Sequence, residues 1–514
     1  MNENCREAFI ALIAPIGINV EEVVEVLSEQ ANQIGFNPNP IKLTDSLKRL
    51  GKVEESYDNE VERYKAYITA GDKLCADYGR GDAFILLGIA DLLSGGDENR
   101  RELANTKRLN IFRQIKRLEE HDTLQRVYGR NILFLGCFAP KDNRKSFLVS
   151  KIKSSARNSN ISRLESQALD IMAVDEEEAG QDFGQKIIDC YPKSDFILDC
   201  TSRSSLEKSC ERFFKIYFGH PFIAPNIDEY ASYIANAAAY RSLDLSRQVG
   251  AAIFSENGEV ISMGCNEVPA PGGGTYWNHH DSDGRDYAMG HDSNQRVREE
   301  LARDILANLN QAGWLTKEIS ETDSNSLIKK AFQKSSKAKA IEAGPLSNSM
   351  ISDIIEYGRM VHAEMNALTD AARFRRSTEN ATLYCTTMPC HMCAKLIIAA
   401  GIKKVVYVQP YVKSLALELF EDSIVFEGRN EDSRVNFESL KGVTPAGFKR
   451  AFAKSQKRKN QDGSAKVWNK QKASPTFLTA IPYYVDLEIE TLSELELIIR
   501  PSPTSKAENS EALI

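Results

Sequence analysis

VHAEMNALTDAARF occupies residues 361–374, and ATLYCTTMPCHMCAKLIIAAGIKKVVYV follows at residues 381–408. The pattern of apolar residues predicts a helix over the first segment, then a strand at 381–388, a helix at 389–401 and a strand at 404–408. A strand–helix–strand order within one sheet makes the two strands parallel through a right-handed crossover. The helix amino termini then lie at the carboxyl ends of the strands, where α/β sheets have their functional sites.

Two short motifs at the starts of these helices carry side chains suited to metal binding. His362 and Glu364 belong to the sequence HAE, and Cys390 and Cys393 belong to PCHMC. The two cysteines are three residues apart and therefore share one face of a helix. The positive end of the helix dipole favours their thiolate form, and Pro389 suits the first helical turn, where its missing N–H costs nothing. Together the motifs resemble the H-x-E…P-C-x-x-C signature of zinc deaminases, in which the glutamate is not a ligand.

These residues predict a catalytic zinc centre with Zn²⁺ as the only cofactor. The histidine and the two cysteines are three protein ligands, and they leave one coordination position open, as catalytic zinc sites do. We expect Glu364 to act as general base and acid, because it can take a proton from the attacking water and pass it to the base. Two further residues are considered as a fourth ligand and disfavoured. Cys385 lies within the strand, and His391 points away from the face of the two cysteines.

The amino-terminal part of the chain predicts a first α/β domain over residues 1–222. Continuous apolar strands are expected at 9–15, 131–140 and 194–200, and an amphipathic helix at 20–35 follows the first of them. Alternating helices and buried strands are typical of an open α/β sheet. The fold class predicted for the chain is therefore α/β, beginning with an open α/β domain.

The remaining sequence predicts a second domain, assigned to residues 223–500. It begins with an alanine-rich helix at 228–244 and a β-hairpin at 248–266, and it includes the two metal-binding motifs. Residues 269–353 are irregular and lysine-rich, so we interpret them as an insertion between the hairpin and the helix that carries HAE. We expect a three-layer α/β/α arrangement for this domain and a disordered tail at 501–514.

Composition and charge restrict the possible partners. Hydrophobic residues make up 42% of the chain and charged residues 27%, which is typical of a globular protein. The formal net charge of −7 argues against a protein that mainly binds a nucleic-acid polymer. The apolar run near the amino terminus is too short to span a membrane and lacks the features of a signal peptide. We therefore expect a cytoplasmic protein without a membrane partner, in which most of the ten cysteines are reduced core thiols.

Five motifs follow one another in a fixed order between residues 228 and 411. They are RSLDLSRQVGAAI (241–253), GCNEVP (264–269), HAEMNAL (362–368), TTMPCHMC (386–393) and AGIKKVVY (400–407). With these motifs the segment resembles the deoxycytidylate deaminase family. The resemblance implies a small deoxycytidine nucleotide as substrate, held at the sugar by Asn266 and at the pyrimidine by the backbone of Ala363. It also implies that Tyr411 or Lys413 lies near the nucleotide. A turn role for Asn266 and solvated-loop roles for Tyr411 and Lys413 remain open.

Further segments extend the resemblance over most of the chain. They are LIAPIG (12–17), RVYGRNILFLGCFAPKDNR (126–144), RFFKIYFGHPFIAPNIDEY (212–230) and GGGTYW (272–277). The whole chain is similar to the two-domain bacterial anti-phage dCTP deaminases, in which a P-loop kinase-like region precedes the deaminase. This resemblance implies conversion of dCTP and dCMP to deoxyuridine nucleotides plus ammonia, with depletion of dCTP as antiviral defence. The deoxycytidylate deaminase resemblance implies a homo-oligomer and a thymidine nucleotide effector.

The amino-terminal domain departs from an active P-loop. A Walker motif, G-x-x-x-x-G-K-[ST], uses backbone N–H groups and a lysine to hold phosphates. The corresponding segment APIGIN at 14–19 keeps Gly17 but has neither the lysine nor the Ser/Thr. Gly17 is therefore a weak candidate for nucleotide binding, and we favour a regulatory or scaffolding role over kinase or ATPase activity.

Two questions stay open from the sequence. The first concerns a polar cluster in the insertion, which either binds a second metal ion or a nucleotide phosphate or forms a solvated loop. Its members are His279, His280, Asp281, Asp283, Arg285 and His291. Two rival functions also exist, deamination of tRNA or single-stranded DNA and non-catalytic nucleotide sensing. The first would need a basic, aromatic-lined groove. The intact Glu364 argues against the second, because a sensor needs no proton shuttle.

Overall fold

The computed structural model describes residues 7–93, 97–155, 161–176, 187–280, 282–334, 341–411, 414–428, 433–453, 456–478 and 483–499. The chain forms two compact units. The first contains the described residues up to Pro225 and those from Lys441 onward, and the second is Asn226–Leu440. Each unit is built on a six-stranded sheet that carries helices, so the predicted α/β class is confirmed.

The strands are β1 (Ala8–Ile13), β2 (Asn37–Lys42), β3 (Arg108–Arg113), β4 (Ile132–Phe138), β5 (Phe196–Asp199), β6 (Gly250–Phe254), β7 (Val260–Cys265), β8 (Thr382–Thr387), β9 (Lys404–Gln409), β10 (Ile424–Phe426), β11 (Val435–Ser439) and β12 (Gly442–Val443).

The helices of the first unit are α1 (Val20–Gln33), α2 (Asp45–Arg49), α3 (Glu60–Tyr78), α4 (Ala83–Leu93), α5 (Asp97–Ala104), α6 (Leu118–Tyr128), α7 (Lys141–Ser155), α8 (Ile161–Glu176), α9 (Ile187–Cys190) and α10 (Arg203–Tyr217). Those of the second unit are α11 (Ile227–Ala239), α12 (Asp286–Met289), α13 (Ser293–Gln311), α14 (Lys317–Ser320), α15 (Ser324–Ala331), α16 (Ala363–Arg373), α17 (His391–Ala399) and α18 (Ala416–Leu419). Two more, α19 (Phe448–Phe452) and α20 (Tyr484–Ile499), belong to the first unit. None of the helices in the described ranges combines the length and hydropathy needed to cross a lipid bilayer.

The first sheet has the strand order β12-β5-β4-β1-β3-β2, and all its strands are parallel except β12. The central strand β1 is buried at every position, as its continuous apolar sequence AFIALI requires. Helix α1 follows it and buries the predicted apolar face, which includes Val20, Val23 and Leu27. The predicted strands at 9–15, 131–140 and 194–200 correspond to β1, β4 and β5.

Three strands of this sheet were not predicted, namely β2, β3 and β12. Strand β2 has the sequence NPNPIK, and its two prolines argue against a strand in the interior of a sheet. The structure places β2 at the sheet edge, paired only with β3, where missing N–H donors are tolerated. The segment 83–93, whose pattern mixes helix and strand signals, forms helix α4.

The boundary between the units differs from the predicted one. Residues 223–500 were assigned to the second domain, but the chain returns to the first unit at Lys441. Strand β12 pairs antiparallel with β5, and Val443 is fully buried. Farther on, the Tyr484 hydroxyl donates a hydrogen bond of 2.9 Å to Glu7. Only long-range pairing determines this return, and the residues after 440 carry no motif that marks it. The predicted tail at 501–514 lies outside the described residues.

The second sheet has the strand order β10-β11-β9-β8-β6-β7. Strands β6 and β7 form the predicted antiparallel hairpin, whereas β8 and β9 are parallel and joined through α17, as predicted. Two glycines show that helices cover both faces of the hairpin. A Cβ at Gly250 would lie 1.9 Å from the carbonyl oxygen of Ala235 in α11, and one at Gly264 would lie 2.3 Å from that of Ala363 in α16. Gly264 is paired with Ala251, the residue after Gly250, so the two Cβ directions are opposite. The sheet therefore lies between α11 and α16.

Candidate active site

The side chains of His362, Cys390 and Cys393 meet at the amino termini of α16 and α17. The Nδ1 atom of His362 lies 3.4 Å from Sγ of Cys390 and 3.3 Å from Sγ of Cys393, and the two sulfur atoms are 3.8 Å apart. Within the part of the chain that the structure describes, this is the one group of three or more His, Cys, Asp or Glu ligand atoms close enough to hold a metal ion.

The donor set and its spacing fit zinc. Zn–S bonds of about 2.3 Å and Zn–N bonds of about 2.0–2.1 Å in a tetrahedron place sulfur atoms about 3.8 Å apart and nitrogen and sulfur about 3.6 Å apart. The observed S–S and N–S distances of 3.8 Å and 3.3–3.4 Å agree with this geometry. One imidazole and two thiolates also form a ligand set that zinc prefers, and a fourth position remains for a small molecule.

Backbone conformation at two helix starts produces this convergence. His362 is the N-cap residue of α16 and Cys390 that of α17, and both have extended backbone (φ −64°, ψ 157° and φ −74°, ψ 170°). Pro389 therefore precedes the N-cap, and the prediction that it lies in the first helical turn was wrong. Its carbonyl oxygen accepts a 2.8 Å hydrogen bond from the Ser414 hydroxyl, which fixes the chain just before the first cysteine.

The two alternative ligands are separated from this group. The Cys385 thiol is fully buried in β8 and donates to the Val406 carbonyl oxygen at 3.7 Å. The His391 Nε2 atom lies 3.1 Å from a carboxylate oxygen of Glu356. Both observations agree with the expectation that neither residue is a ligand.

The electrostatics of the three side chains favour an anionic sulfur beside a cationic ring. A hydrogen bond with Cys393, and a second one with His362, lower the pKa of the Cys390 thiol to about 4. Burial lowers the pKa of His362, but the hydrogen bond with Cys390 and nearby negative charge outweigh it, so this pKa lies above its usual value. A thiolate is the form of cysteine that binds a metal.

Glu364 lies one helical residue beyond Ala363 and is 4% exposed. Burial raises the pKa of its carboxyl group, while the charge of His362 acts in the opposite direction. Among the described residues it is not one of the grouped ligand atoms. Its position beside the group, facing the same cavity, suits proton transfer.

A cavity of about 220 Å³ opens over the group. Asn266, Ala363 and Tyr411 line it together with His362 and Glu364, so the structure brings these sequence candidates to one place. Lys413 lies outside the described residues.

The Asn266 side chain has structural partners as well as a place in the cavity wall. Its Oδ1 accepts a hydrogen bond of 2.7 Å from the Val249 N–H, and its Nδ2 donates one of 2.9 Å to the Arg247 carbonyl oxygen. The turn role and the lining role are therefore compatible.

Several lining residues were not recognised as candidates from the sequence. Arg247 belongs to one of the quoted motifs, and its guanidinium lies 5.4 Å from the centre of the Tyr411 ring. Arg359 donates hydrogen bonds to the Gly284 carbonyl oxygen at 3.0 Å and to Asp286 at 3.3 Å. A basic residue inside a motif next to a predicted anionic ligand is a signal for Arg247, whereas no local pattern marks Arg359.

The polar cluster of the insertion does not assemble a second metal group in the described residues, and Asp281 lies outside them. Arg285 is instead bound by Asp283 at 2.7 Å and lies 3.8 Å from Glu267. His291 contacts the Met289 carbonyl oxygen, and His280 accepts from the Trp277 N–H. These contacts stabilise the loop itself.

Gly17 lies in the loop after β1 with φ +94°. A Cβ there would lie 2.7 Å from both the Cβ and the carbonyl oxygen of Arg144, so only glycine fits between the two segments. The Ile16 N–H in the same loop donates to the buried carboxylate of Asp175 at 2.6 Å. In a working P-loop such N–H groups would face phosphate oxygens.

The segment around the metal-binding residues has known relatives. Residues 225–409 match the family described as "Cytidine and deoxycytidylate deaminase zinc-binding region". The match includes the hairpin, both motifs and the cavity residues Asn266 and Arg247. The name of this region agrees with the donor geometry, and zinc is the cofactor of the site.

Curated relatives match over short stretches of this segment. "ComE operon protein 2" of Bacillus subtilis is 46% identical over 66 residues, which are 13% of this chain and 35% of the relative. "Deoxycytidylate deaminase" of Enterobacteria phage T2 is 52% identical over 54 residues, 10% of this chain and 29% of the relative. The enzyme of the same name from Saccharomyces cerevisiae is 53% identical over 51 residues, 10% and 16% of the two chains. The chain thus spans about a third or less of the length of these relatives.

Among solved structures, the dCMP deaminase of cyanophage S-TIM5 is similar at 18% identity and a TM-score of 0.22. The alignment covers 42% of this chain and 100% of that one.

Proposed function

We propose that the chain is a zinc-dependent deaminase that hydrolyses the C4 amino group of a deoxycytidine nucleotide and releases ammonia. The observation that carries this proposal is the convergence of His362, Cys390 and Cys393 with the buried Glu364 in one cavity. The family match over residues 225–409 and the deoxycytidylate deaminases among the relatives support the choice of substrate.

In this proposal the histidine and the two cysteines hold the zinc ion. When bound, zinc acts as a Lewis acid that lowers the pKa of a water molecule at the open position. Glu364 takes one proton from the attacking water and donates it to N3 of cytosine. It then takes the remaining proton of the hydroxyl group added at C4 and transfers it to the amino group, so that the C4–N bond breaks, ammonia leaves and the C4 carbonyl forms. The buried position of Glu364 shields these protons from bulk solvent and keeps its carboxylate next to the reacting atoms.

The cavity residues bind the nucleotide. Asn266 holds the sugar, and the backbone at Ala363 positions the pyrimidine beside Glu364. Tyr411 lies near the nucleotide, and Arg247 and Arg359 supply positive charge for its phosphates. The support is the shared lining of one cavity by Asn266, Ala363, Tyr411 and the two arginines.

Both dCTP and dCMP are proposed as substrates, with dCTP depletion in the cytoplasm as an anti-phage function.

The first unit is proposed to be a P-loop-like domain that does not transfer phosphate. Its strand order, with β1 between β3 and β4, and the glycine-containing loop after β1 support this relationship. The hydrogen bond between Ile16 and Asp175 supports the lack of transfer activity.

The test is to incubate the purified chain with dCTP, dCMP, cytidine and a cytosine-containing oligonucleotide, and to measure ammonia and the uracil product. We expect turnover of the deoxynucleotides, and none by a Glu364→Gln preparation purified in the same way. Turnover confined to the oligonucleotide would favour a polynucleotide deaminase. Binding of nucleotides without any turnover would favour a sensor.

A further inference from the structure

One wall of the cavity over the metal-binding group comes from residues 269–353, the segment that the sequence indicates as an insertion. Asp286, Asp292 and Asn294 line this cavity together with Glu364. They lie at the starts of helices α12 and α13, outside the helices whose starts carry the zinc ligands. The motifs HAE and PCHMC therefore do not complete the wall of the site by themselves.

Asn294 brings to this wall a hydrogen-bond acceptor that the protein does not pair. Its Nδ2 group donates a hydrogen bond of 2.8 Å to the Ile354 carbonyl oxygen, which fixes the plane of the amide. Its Oδ1 atom is buried, and among the described residues no donor reaches it. A buried acceptor without a partner costs free energy, so an atom of this kind in the wall of a ligand cavity indicates a donor on the ligand.

The acceptor lies beside one of the residues proposed to bind the phosphates. A Cβ built at Gly358 would lie 3.9 Å from the Oδ1 atom of Asn294, and Arg359 is the next residue. The base of the nucleotide, in the proposed reaction, lies instead beside Ala363 and Glu364. The position of Oδ1 therefore corresponds to the sugar and phosphate part of the nucleotide.

The chemistry of the substrate indicates which group pairs with this acceptor. A deoxycytidine nucleotide has two kinds of hydrogen-bond donor, the 4-amino group of the base and the 3′-hydroxyl group of the sugar. Ionised phosphate oxygens are acceptors and cannot donate to Oδ1. The 4-amino group is the reacting group and faces Glu364 in the proposed reaction. The 3′-hydroxyl group is the donor that remains.

Asn266 and Asn294 offer complementary groups to such a hydroxyl. The Oδ1 atom of Asn266 already accepts from the Val249 N–H at 2.7 Å, and its Nδ2 group donates to the Arg247 carbonyl oxygen at 2.9 Å. An amide nitrogen carries two protons, so Nδ2 of Asn266 can donate a second hydrogen bond to a sugar oxygen. A hydroxyl group that accepts from Asn266 and donates to Asn294 has both of its hydrogen-bonding functions satisfied.

Hydrogen bonds within the protein hold this wall in place. The Asp286 carboxylate accepts from the Ser293 N–H at 3.0 Å and from the Ser293 hydroxyl at 2.9 Å, and Arg359 donates to it at 3.3 Å. The side chain of Asp292 caps helix α13 by accepting from the Gln295 N–H at 2.9 Å. The helix start that carries Asn294 is thus fixed without a ligand, which lowers the cost of ordering it on binding.

We propose that Asn294 determines specificity for the free 3′-hydroxyl group of the substrate by accepting its hydrogen bond. The inference rests on the proposed deaminase function and adds a residue of the insertion to the substrate site. It also names the substrate class. A free nucleotide carries this proton, whereas a cytosine within a polynucleotide has its 3′ oxygen esterified and has no proton to donate.

The experiment compares dCMP with 2′,3′-dideoxycytidine monophosphate, which lacks only the 3′-hydroxyl group, by kcat/KM of deamination. The proteins are the native chain, Asn294→Ala, Asn294→Asp and the control Asn308→Ala. Asn308 is the same residue type, exposed on the same helix and absent from the cavity lining. Asn294→Asp keeps the acceptor but loses the donor to Ile354. Zinc content and thermal melting verify that each variant is folded.

The native chain should prefer dCMP over the dideoxy analogue by about tenfold, the value of one net hydrogen bond. Asn294→Ala should lose this preference, because dCMP loses a contact that the analogue never makes. Asn294→Asp and Asn308→Ala should keep it.

Two outcomes overturn the role of Asn294 and leave the proposed function standing. One is a native chain that deaminates both compounds equally well, a result that needs no variant. The other is an Asn294→Ala protein that loses activity toward both compounds alike and keeps the preference, as a purely structural role predicts. A native chain that deaminates neither compound refutes the proposed function and this inference together.

Discussion

The Nδ2 group of Asn366 donates a hydrogen bond of 3.0 Å to the carbonyl oxygen of Cys265, and both residues are buried. This bond joins the first turn of α16, which contains Glu364 and follows His362, to the end of β7, where Asn266 begins the cavity wall. The close approach at Gly264 brings the same two elements together. The proton-transferring residue and the sugar-binding residue of the proposed reaction are thus held in fixed relative positions by a side chain that is not among the residues lining the cavity.

Replacing Asn366 by alanine should therefore weaken both stability and activity. The Cys265 carbonyl group would lose its partner in a buried place, which costs about 1–3 kcal/mol of unfolding free energy. Displacement of α16 relative to Asn266 should lower kcat/KM by about 10- to 100-fold, because small errors in position are costly in catalysis. Urea unfolding, zinc content and dCMP turnover are the measurements. Asn308→Ala is the control, since its side chain bonds within an exposed part of α13. An Asn366→Ala protein with normal kcat/KM would contradict the positioning role.

Cys390→Ala and Cys393→Ala should each lose zinc together with activity. Two remaining protein ligands hold zinc poorly, and three ligands with one open position are the normal minimum for a catalytic site. Elemental analysis and deamination rates on one preparation measure both effects. Cys385→Ala is the matched control, because that thiol is buried in the neighbouring strand outside the ligand group, and it should keep its zinc. Full zinc occupancy in the Cys393 variant would show that the ligand assignment is wrong.

Glu364→Gln should keep zinc and the fold but lose the reaction. The amide has nearly the same size as the carboxyl group and cannot carry the proton. General acid–base catalysis contributes about 10²–10⁴-fold, and we expect a loss at the upper end because one carboxylate handles every transfer. Zinc content and turnover should be measured on the same sample. If the variant loses its zinc, Glu364 is a ligand; if it retains most of its activity, another residue is the base.

Deamination should proceed without ATP hydrolysis. The loop after β1 lacks the phosphate-binding lysine, and the Ile16 N–H is bonded to Asp175. The assay uses nucleotide-free buffer that contains only zinc and dCMP, and compares added ATP with a non-hydrolysable analogue. Equal rates with the two compounds are expected, even if both change the rate by binding. A strict need for the hydrolysable form would refute the prediction.

We also expect a homo-oligomer whose activity is restrained by dTTP. The prediction comes from the similarity of residues 228–411 to deoxycytidylate deaminases, which implies both properties. Light scattering measures the assembly, and initial rates of dCMP deamination with added dTTP measure the restraint, with dATP as the control nucleotide. A monomer whose rate is indifferent to dTTP would contradict both parts.

The extent to which the sequence predicts this protein differs between its parts. Helix α16, strand β8, helix α17 and strand β9 were predicted in order because their apolar patterns are regular and their starts carry recognisable residues. The edge strand β2 was missed because its prolines resemble a loop, and its pairing with β3 depends on contacts with residues about 70 positions away. The return of the chain at Lys441 was missed for the same reason, since nothing local marks the pairing of β12 with β5.

The sequence by itself determined the chemistry of the site: one imidazole, two thiols and one carboxyl group at the starts of two helices, in a spacing that suits zinc. It did so because ligand type, helix starts and helical periodicity are local properties. Only the tertiary structure decided that Arg247 and Arg359 line the cavity over that group and that Asn366 bonds Cys265. Those relationships join residues far apart in the chain, and close packing of one segment against another is what fixes them.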